Sequence, residues 1–267
     1  MELILAHSPD ADDAYMFYGM ASGAVKTRFS FREFLADIET LNRLAVSGAR
    51  LDLTALSAAA LGSTKRYYVL RVGASMGDGY GPIVVARSAG EVRLVAVPGR
   101  YTTATLLLRL AMPNVKTVEV PFDKIFDAVL AGVVDAGVII HEGQITYSRI
   151  GLNKMLDLGR WWFEQTGLPT PLGVDAVRKE LGVEAAEELK RALSDSIAYA
   201  EAHRDEALRY ASKFSRGLPL EDTAKFVDMY VNKYTKDMGR RGEEAVLELL
   251  QRAKRLGLVE NDEVEFV

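Results

Sequence analysis

The chain has 267 residues, enough for one large domain or two modest ones with a substantial core. Hydrophobic residues make up 49% and charged residues 26%, a composition typical of a globular protein and unlike that of a disordered, fibrous or membrane-spanning chain. The formal net charge of −4, with scattered basic residues, argues against nucleic acid as the main partner, and the absence of cysteine from the sequence excludes disulfide and thiolate chemistry.

The N-terminal segment "ELILAHS", residues 2–8, is an apolar run of strand length. It lacks the positively charged start and the small-residue cleavage site of a secretory signal. We therefore expect a cytoplasmic protein without a membrane partner.

Strand-like runs alternate with helical patterns through the first two thirds of the chain. This alternation is typical of βα units and predicts an α/β fold with a largely parallel sheet. The predicted strands cover residues 2–7, 28–34, 51–56, 68–74, 82–87, 93–98, 116–121 and 135–140. The predicted helices between them cover residues 12–22, 37–48, 57–65, 102–112 and 122–132.

Beyond about Glu180 the pattern changes to long amphipathic helices, and the strand signal ends. We expect these helices to pack on a sheet formed earlier, with their charges facing solvent. They are predicted at residues 183–202, 204–214, 220–235 and 241–257.

Two breaks in the pattern suggest that the chain changes domain. One is the polar stretch at residues 86–92, and the other is residues 166–174, where two prolines and two glycines occur. The predicted division is a larger α/β lobe of residues 1–89 plus 170–267 and a smaller inserted α/β lobe of residues 90–169. Two lobes with a cleft between them suit the binding of a small ligand.

The turn after the first predicted strand reads "HSPDADDAYMF". Ser8, Asp10 and Asp12 are helix-capping residue types, and Pro9 directs the chain as it leaves the strand. Capping explains most of this segment, while Ser8 and Asp12 are also candidates for ligand contact. The spacing of the aspartates lacks the glycine and the distant glutamate of a calcium loop, so we predict no metal site.

Two further turns are candidates for anion binding. Ser57 follows a strand and opens a predicted helix of small residues, and Thr102 and Thr103 do the same after Pro98-Gly99. The free N–H groups and the dipole of a helix N-terminus favour a carboxylate or phosphate, although a capping residue would have the same pattern. Arg100 is a possible charge partner for the anion.

His141 follows the last predicted strand of the smaller lobe. A lone histidine at a strand end is more often a structural loop residue than a base, but the carboxyl ends of strands are where α/β sheets bind ligands. Histidine is also well suited to proton transfer at neutral pH. His7 is a weaker candidate for the same cleft, and His203 is expected at the surface.

The segment "GASMGDGYGPIVVA" has glycines at positions 77, 79 and 81. A strand follows it where a nucleotide-binding loop would require a helix, so we predict no such loop. A flexible turn that closes over a ligand, or lets backbone approach it, fits better.

Several segments resemble the 1,4-dihydroxy-6-naphthoate synthase family of the futalosine route to menaquinone, and the resemblance runs nearly end to end. Its most specific part is the stretch that begins "GVIIHEGQITYSRIG" and continues through Asp157–Gly159, Trp161–Trp162 and Thr166–Pro169. The other matching segments are "DIETLNRLAVSG", "VAVPGRYTTATLLLRL" and "MYVNKYTKDMGRRGEEAV".

The resemblance implies a two-lobed fold similar to type II periplasmic solute-binding proteins, with cyclic dehypoxanthine futalosine bound between the lobes and no cofactor. It implies that His141 is the general base for a carbon–carbon cleavage. It also implies that a carboxylate substrate is bound by residues matching Ala55, Leu56, Ser57, Thr103 and Ala104; further candidates are Ser8, Asp12, Asn42 and Thr102.

This sequence departs from the family pattern in two places. Residues 8–13 read Ser-Pro-Asp-Ala-Asp-Asp where well-known members have Ser-Pro-Cys-Pro-Asn-Asp, and the position of Ala55 is a lysine in some members. Both changes make the site more acidic. Two alternative functions remain open: a solute-binding protein that captures a small anion, and chorismate dehydratase, which has the same architecture. The oligomeric state is not indicated by the sequence.

Overall fold

The computed structural model describes residues 1–141 and 143–267. In these residues twelve strands form two sheets, with helices packed around them. The strands are β1 (Glu2–His7), β2 (Ser30–Leu35), β3 (Leu53–Ser57), β4 (Tyr67–Val69), β5 (Ser75–Gly77), β6 (Ile83–Ala86), β7 (Leu94–Val97), β8 (Lys116–Glu119), β9 (Ala136–Ile139), β10 (Asn153–Asp157), β11 (Thr170–Arg178) and β12 (Glu265–Phe266).

The α-helices are α1 (Ala11–Met16), α2 (Tyr18–Ala21), α3 (Ile38–Ser47), α4 (Thr103–Ala111), α5 (Ile125–Leu130), α6 (Gly143–Thr146), α7 (Leu158–Thr166), α8 (Val183–Ala202), α9 (Arg204–Ala211), α10 (Leu220–Tyr230), α11 (Lys233–Lys236) and α12 (Gly239–Arg255). Short 3₁₀ helices cover Ala58–Ser63, Phe122–Lys124, Tyr147–Ile150, Lys179–Leu181 and Ser212–Phe214. In the described residues, no helix combines the length and the apolar character needed to cross a membrane.

Both sheets are mixed, so the expectation of a largely parallel sheet is wrong. The first sheet has the order β12-β4-β11-β3-β1-β2, with β5 paired to β11. In it β1 runs parallel to β2 and β3, whereas β11 runs antiparallel to β3, β4 and β5. The second sheet has the order β10-β6-β9-β7-β8, and its parallel pairs are β7 with β8 and β7 with β9.

The strand β11 lies inside the first sheet, although the sequence indicated an interruption at residues 166–174. The sheet accommodates Pro171 because the register with β5 shifts between Pro171 and Gly173, and such irregular positions tolerate the missing N–H of proline. Beyond that point β11 pairs regularly with β3, from Gly173 opposite Ser57 to Val177 opposite Leu53.

The chain crosses between the sheets twice. It leaves the first sheet before β6, because β6 pairs with β9 and β10 of the second sheet. Strand β6 therefore belongs to the second sheet, although its residues precede the predicted boundary at residue 89. It returns before β11, next to the predicted boundary at residue 170. Below, the first lobe is the first sheet with its helices, and the second lobe is the second sheet with α4, α5 and α7. The limits of the lobes as stretches of sequence stay a prediction.

Helix α8 covers Val183–Ala202 as predicted, whereas other helices differ in detail. The predicted helix at residues 57–65 is a 3₁₀ helix, and the predicted helix at residues 12–22 is divided into α1 and α2. The predicted helix at residues 220–235 is likewise divided into α10 and α11.

Helix α12 packs against both lobes. Val246 and Leu250 belong to a buried cluster with Leu56 of β3, whereas Leu249 and Ala253 belong to a second cluster with Trp162 of α7. Apolar burial therefore joins the lobes along this helix.

Candidate functional site

The two lobes together line an open cavity, and the empty space in it and at its mouth, open solvent included, is about 720 Å³. The first lobe contributes residues that follow β1, residues 55–57 of β3 and residues 172–175 of β11. The second lobe contributes residues 102–104 at the start of α4 and residues 140–141 after β9. Several of these residues lie at or just beyond the carboxyl ends of parallel strands, where ligands of α/β sheets bind.

Most of the predicted site residues meet at this cavity. Asn42 is not part of the lining and lies behind Ser57. Their roles in binding and catalysis stay predictions. The predicted residues that line the cavity are Ser8, Asp12, Ala55, Leu56, Ser57, Thr102, Thr103, Ala104 and His141.

His141 lies two residues beyond the end of β9 and turns its side chain into the cavity. Its φ angle of 59° is in the left-handed region, which few residues other than glycine adopt and which is common at functional sites. The imidazole Nδ1 is 2.9 Å from Oδ2 of Asp10. The other nitrogen, Nε2, is buried and has no hydrogen-bond partner among the described residues.

Asp10 fixes the chemical state of this imidazole. Burial by itself raises the pKa of the Asp10 carboxyl, but His141 and the Arg216 guanidinium outweigh burial and hold the pKa well below its usual range. Because an ionised carboxylate only accepts hydrogen bonds, Nδ1 is the donor to Asp10. In a neutral imidazole the lone pair is then on Nε2, the nitrogen that can accept a proton.

Arg216 comes from the loop between α9 and α10 and bonds to Oδ1 of Asp10. Its guanidinium also lies over the ring of Phe122, 4.5 Å from the ring centroid. The same ring meets the His141 imidazole edge to face at 4.7 Å between centroids. Asp10 and Arg216 of the first lobe and His141 and Phe122 of the second thus form one contact across the cleft.

The first turn is therefore more than a set of helix caps. Asp10 is at the N-cap position of α1 but makes no side-chain capping bond, because its carboxylate bonds to His141 and Arg216. Ser8 donates from its backbone N and from Oγ to Oδ2 of Asp13, at 2.8 and 2.7 Å. Burial raises the pKa of Asp13, opposed by the nearby His7.

Ser57 is held by Asn42. The Asn42 side chain accepts from the Ser57 backbone N at 2.9 Å, and its Nδ2 donates to Ser57 Oγ at 3.0 Å. Because Oγ accepts from Asn42, its own proton is directed elsewhere, and Ser57 lines the cavity. The contact with Asn42 therefore leaves the Ser57 hydroxyl proton available to another acceptor.

The start of α4 combines a cap and a link between lobes. Thr102 is the N-cap and accepts from the Thr105 backbone N at 3.2 Å. Thr103 Oγ1 donates to the carbonyl of Leu172 in β11 at 2.9 Å and accepts from the Ala59 backbone N at 3.1 Å. The groups of α4 that are available to a ligand are thus the backbone N–H groups of Thr103 and Ala104 in its first turn, which have no acceptor within the helix.

Two polar residues of the cavity were not predicted from the sequence. Asp175 in β11 is 1% exposed, and neither of its carboxyl oxygens has a hydrogen-bond partner among the described residues. Burial, with a further contribution from the charge of Asp13, raises its pKa well above the usual range. Tyr230 at the end of α10 has a buried hydroxyl without a partner of normal geometry in the described chain, and burial raises its pKa as well.

Some predicted candidates lie elsewhere. Arg100 is exposed and packs over Tyr101, 5.5 Å from the ring centroid, so the suggested charge partner does not reach the cavity. His7 is buried in β1 and stacks on Phe17. His203 is exposed at the end of α8, as predicted.

Gly81, just before β6, lies against another segment of the chain. A Cβ on Gly81 would lie 2.8 Å from Cα of Gly159, and one on Gly159 would lie 1.9 Å from the carbonyl carbon of Tyr80. The close backbone approach expected at this loop is therefore made to the start of α7.

Known proteins are similar to this chain in sequence and in fold. A family model described as menaquinone biosynthesis matches residues 3–255. Over 260 residues the chain is 45% identical to a 1,4-dihydroxy-6-naphthoate synthase of Thermus thermophilus, with 96% of this chain and 95% of that protein covered. A crystal structure of a protein from Archaeoglobus fulgidus superimposes with a TM-score of 0.93 at 49% identity, covering 97% of this chain and 98% of that one.

The fold is also that of more distant proteins. The alkanesulfonate-binding protein of Xanthomonas axonopodis superimposes with a TM-score of 0.74 at 12% identity, covering 99% of this chain and 96% of that one. The expected two-lobed α/β fold of the periplasmic-binding-protein type is thereby confirmed.

Proposed function

The chain belongs to the menaquinone biosynthesis family and is an enzyme of that pathway, and on this basis we propose that it is a carbon–carbon lyase that converts cyclic dehypoxanthine futalosine to 1,4-dihydroxy-6-naphthoate. The observation that carries the proposal is His141, which lines the cavity and whose buried Nε2 has no hydrogen-bond partner among the described residues. The similarity to the synthase of Thermus thermophilus supports the choice of substrate.

In the proposed mechanism, Nε2 of His141 takes a proton from the substrate. The resulting imidazolium keeps its bond from Nδ1 to Asp10, whose negative charge stabilises it. Arg216 keeps Asp10 ionised and fixes its position, so the ring needs no reorientation during proton transfer. Loss of the proton drives cleavage of a carbon–carbon bond and releases a sugar-derived fragment.

The proposed anchor for the substrate carboxylate is the start of α4. The amides of Thr103 and Ala104 and the helix dipole favour a negative charge there. The Ser57 hydroxyl, oriented by Asn42, donates a further hydrogen bond. Closure of the lobes over the bound substrate excludes water, which strengthens each of these polar contacts.

The test is the His141→Ala variant, assayed for 1,4-dihydroxy-6-naphthoate formation from cyclic dehypoxanthine futalosine. Loss of a general base predicts a fall in kcat of roughly 10²- to 10⁴-fold. The matched control is His203→Ala, because His203 is exposed at the far end of α8 and should have no effect on turnover. Near-normal turnover by folded His141→Ala protein would refute the assignment of the base.

Incubation with each substrate separately distinguishes the remaining alternatives. Chorismate dehydratase activity would appear as turnover of chorismate in place of the futalosine derivative. A protein that only captures small anions would bind ligand saturably and form no product.

A further inference from the structure

Asp175 is one of the polar side chains of the cavity that the proposed mechanism does not use. It lies in β11 opposite Ala55 of β3, in the middle of the first sheet, and lines the cavity. It is 1% exposed, and both carboxyl oxygens lack a hydrogen-bond partner among the described residues. Buried carboxyl groups are normally paired, so an unpaired one that faces a cavity needs an explanation.

The surroundings of Asp175 favour a neutral carboxylic acid. The groups that face it include Gly73, Leu193 and Ala55, which carry no charge, and the nearby Asp13 carboxylate opposes its ionisation. A neutral carboxylic acid both donates and accepts a hydrogen bond. That pair of roles matches a hydroxyl group.

The backbone leaves space for this carboxyl group. Gly73 has a φ of +83°, and a Cβ there would lie 2.1 Å from Oδ2 of Asp175. Because no larger side chain fits, position 73 combines a left-handed turn with room for the acid.

Position along β11 separates Asp175 from the proposed carboxylate anchor. Leu172, which accepts from Thr103 at the start of α4, precedes Asp175 by three residues, a distance of about 10 Å along a strand. A carboxylate is attracted to the helix start, so the part of the substrate near Asp175 is one that carries no carboxylate. A neutral acid that both donates and accepts matches a hydroxyl group there.

We propose that Asp175 is a specificity-determining residue that hydrogen-bonds a hydroxyl group in the sugar-derived part of the substrate while the substrate carboxylate lies at the start of α4. This inference rests on the proposed function and deepens it. It assigns Asp175 to binding and leaves proton abstraction to His141.

The test compares Asp175→Asn with Asp175→Val in steady-state kinetics and thermal unfolding. Asparagine keeps a donor and an acceptor, so KM should stay within about 3-fold of the wild type. Valine removes both, so KM should rise about 10-fold or more, and the melting temperature should stay equal or rise because no internal hydrogen bond is lost.

The matched control is Asp52→Val, which alters a buried aspartate of the same sheet that has protein partners. It should lower the melting temperature and leave KM unchanged. An Asp175→Val variant that behaves like Asp52→Val would show a structural role and overturn the inference. An equal rise in KM for Asp175→Asn and Asp175→Val would also overturn it, because it would point to a required negative charge.

The wild type in the same assay separates the two proposals. If the wild type turns over the substrate and the Asp175 variants have the wild-type KM, only the inference about Asp175 is overturned. If the wild type shows no turnover, the proposed function and this inference are overturned together.

Discussion

The first sheet holds two buried aspartates, Asp52 and Asp175, in opposite ways. At the end away from the cavity, Asp52 accepts from the Ile4 backbone N at 2.9 Å and pairs with Arg50 and Arg178, each at 2.9 Å. Toward the cavity, Asp175 of the same sheet has no hydrogen-bond partner in the described chain. An unpaired buried acid is therefore not a general feature of this core.

Three residues that line the cavity have buried polar atoms without a partner of normal geometry among the described residues. They are His141 at Nε2, Asp175 at both carboxyl oxygens and Tyr230 at its hydroxyl. Leaving such groups unpaired reduces folding stability, and a bound substrate restores it. The comparison of Asp52 with Asp175 therefore distinguishes residues that stabilise the fold from residues that are available to bind a ligand. Four variants test this distinction.

The largest effect is expected for Asp10→Asn, which keeps the shape of the side chain but removes its charge. An amide accepts a hydrogen bond from Nδ1 of His141 less strongly than a carboxylate does. The imidazole tautomer with its lone pair on Nε2 is then less favoured, and Nε2 is a less effective base. We expect kcat to fall by roughly 10³-fold with little change in KM, measured by steady-state kinetics. The control is Asp195→Asn on the exposed face of α8. A decrease below about 3-fold would contradict the role of Asp10.

The second variant is Asp52→Ala, at the paired end of the sheet. Removing this carboxylate leaves Arg178, whose side chain is only 16% exposed, without its buried partner. We expect the free energy of unfolding to fall by about 3 kcal/mol in urea titrations, with KM unchanged. A raised KM with normal stability would reverse the proposed division between the two ends.

The third test uses pH. Burial and Asp13 raise the pKa of Asp175, so the folded protein keeps a proton there that the unfolded chain releases above about pH 4. This contribution to stability is lost as the pH rises, by at most about 1.4 kcal/mol per pH unit. The Asp175→Asn variant should therefore gain stability relative to the wild type between pH 5 and 8.

Asp10 should show the opposite dependence, because its pKa is lowered in the folded protein. Its contribution is present above about pH 4 and is lost as the pH falls below that value. The stability difference between Asp10→Asn and the wild type should therefore shrink in acid. Unfolding free energies measured across this pH range check both signs, and parallel profiles for the two variants would contradict them.

The smallest effect is expected for Thr103→Val, which removes the hydroxyl that joins the Leu172 carbonyl and the Ala59 amide. We expect the free energy of unfolding to fall by about 1 kcal/mol, measured by chemical denaturation. A loss of substrate binding without a loss of stability would instead favour direct contact between this hydroxyl and the substrate.

Features that depend on neighbours in sequence were predictable. The bounds of α8 follow from its apolar spacing, and the predicted start of α4 at Thr102 and Thr103 is close to the observed start at Thr103. The position of His141 after a strand indicated the cavity, because the ends of strands gather at one edge of a sheet.

Features that depend on distant partners were not predictable. Pro171 and Gly173 indicated a break by local propensity, so β11 was missed, and Asp175 was missed with it. Arg216 meets Asp10 across 206 residues, and no local pattern distinguishes it from an arginine that faces water. The left-handed backbone of His141 likewise depends on packing around the turn after β9.

The packing of α12 has a consequence for how molecules enter and leave. Leu249 and Ala253 share a core with Trp162, while Val246 and Leu250 share one with Leu56. A wide separation of the lobes would therefore expose at least one of these two cores to water. The contacts of Asp10 with His141 and of Thr103 with Leu172 are polar, and water can replace them at little cost. We expect substrate to enter and product to leave when these polar contacts break, while α12 stays packed against both lobes.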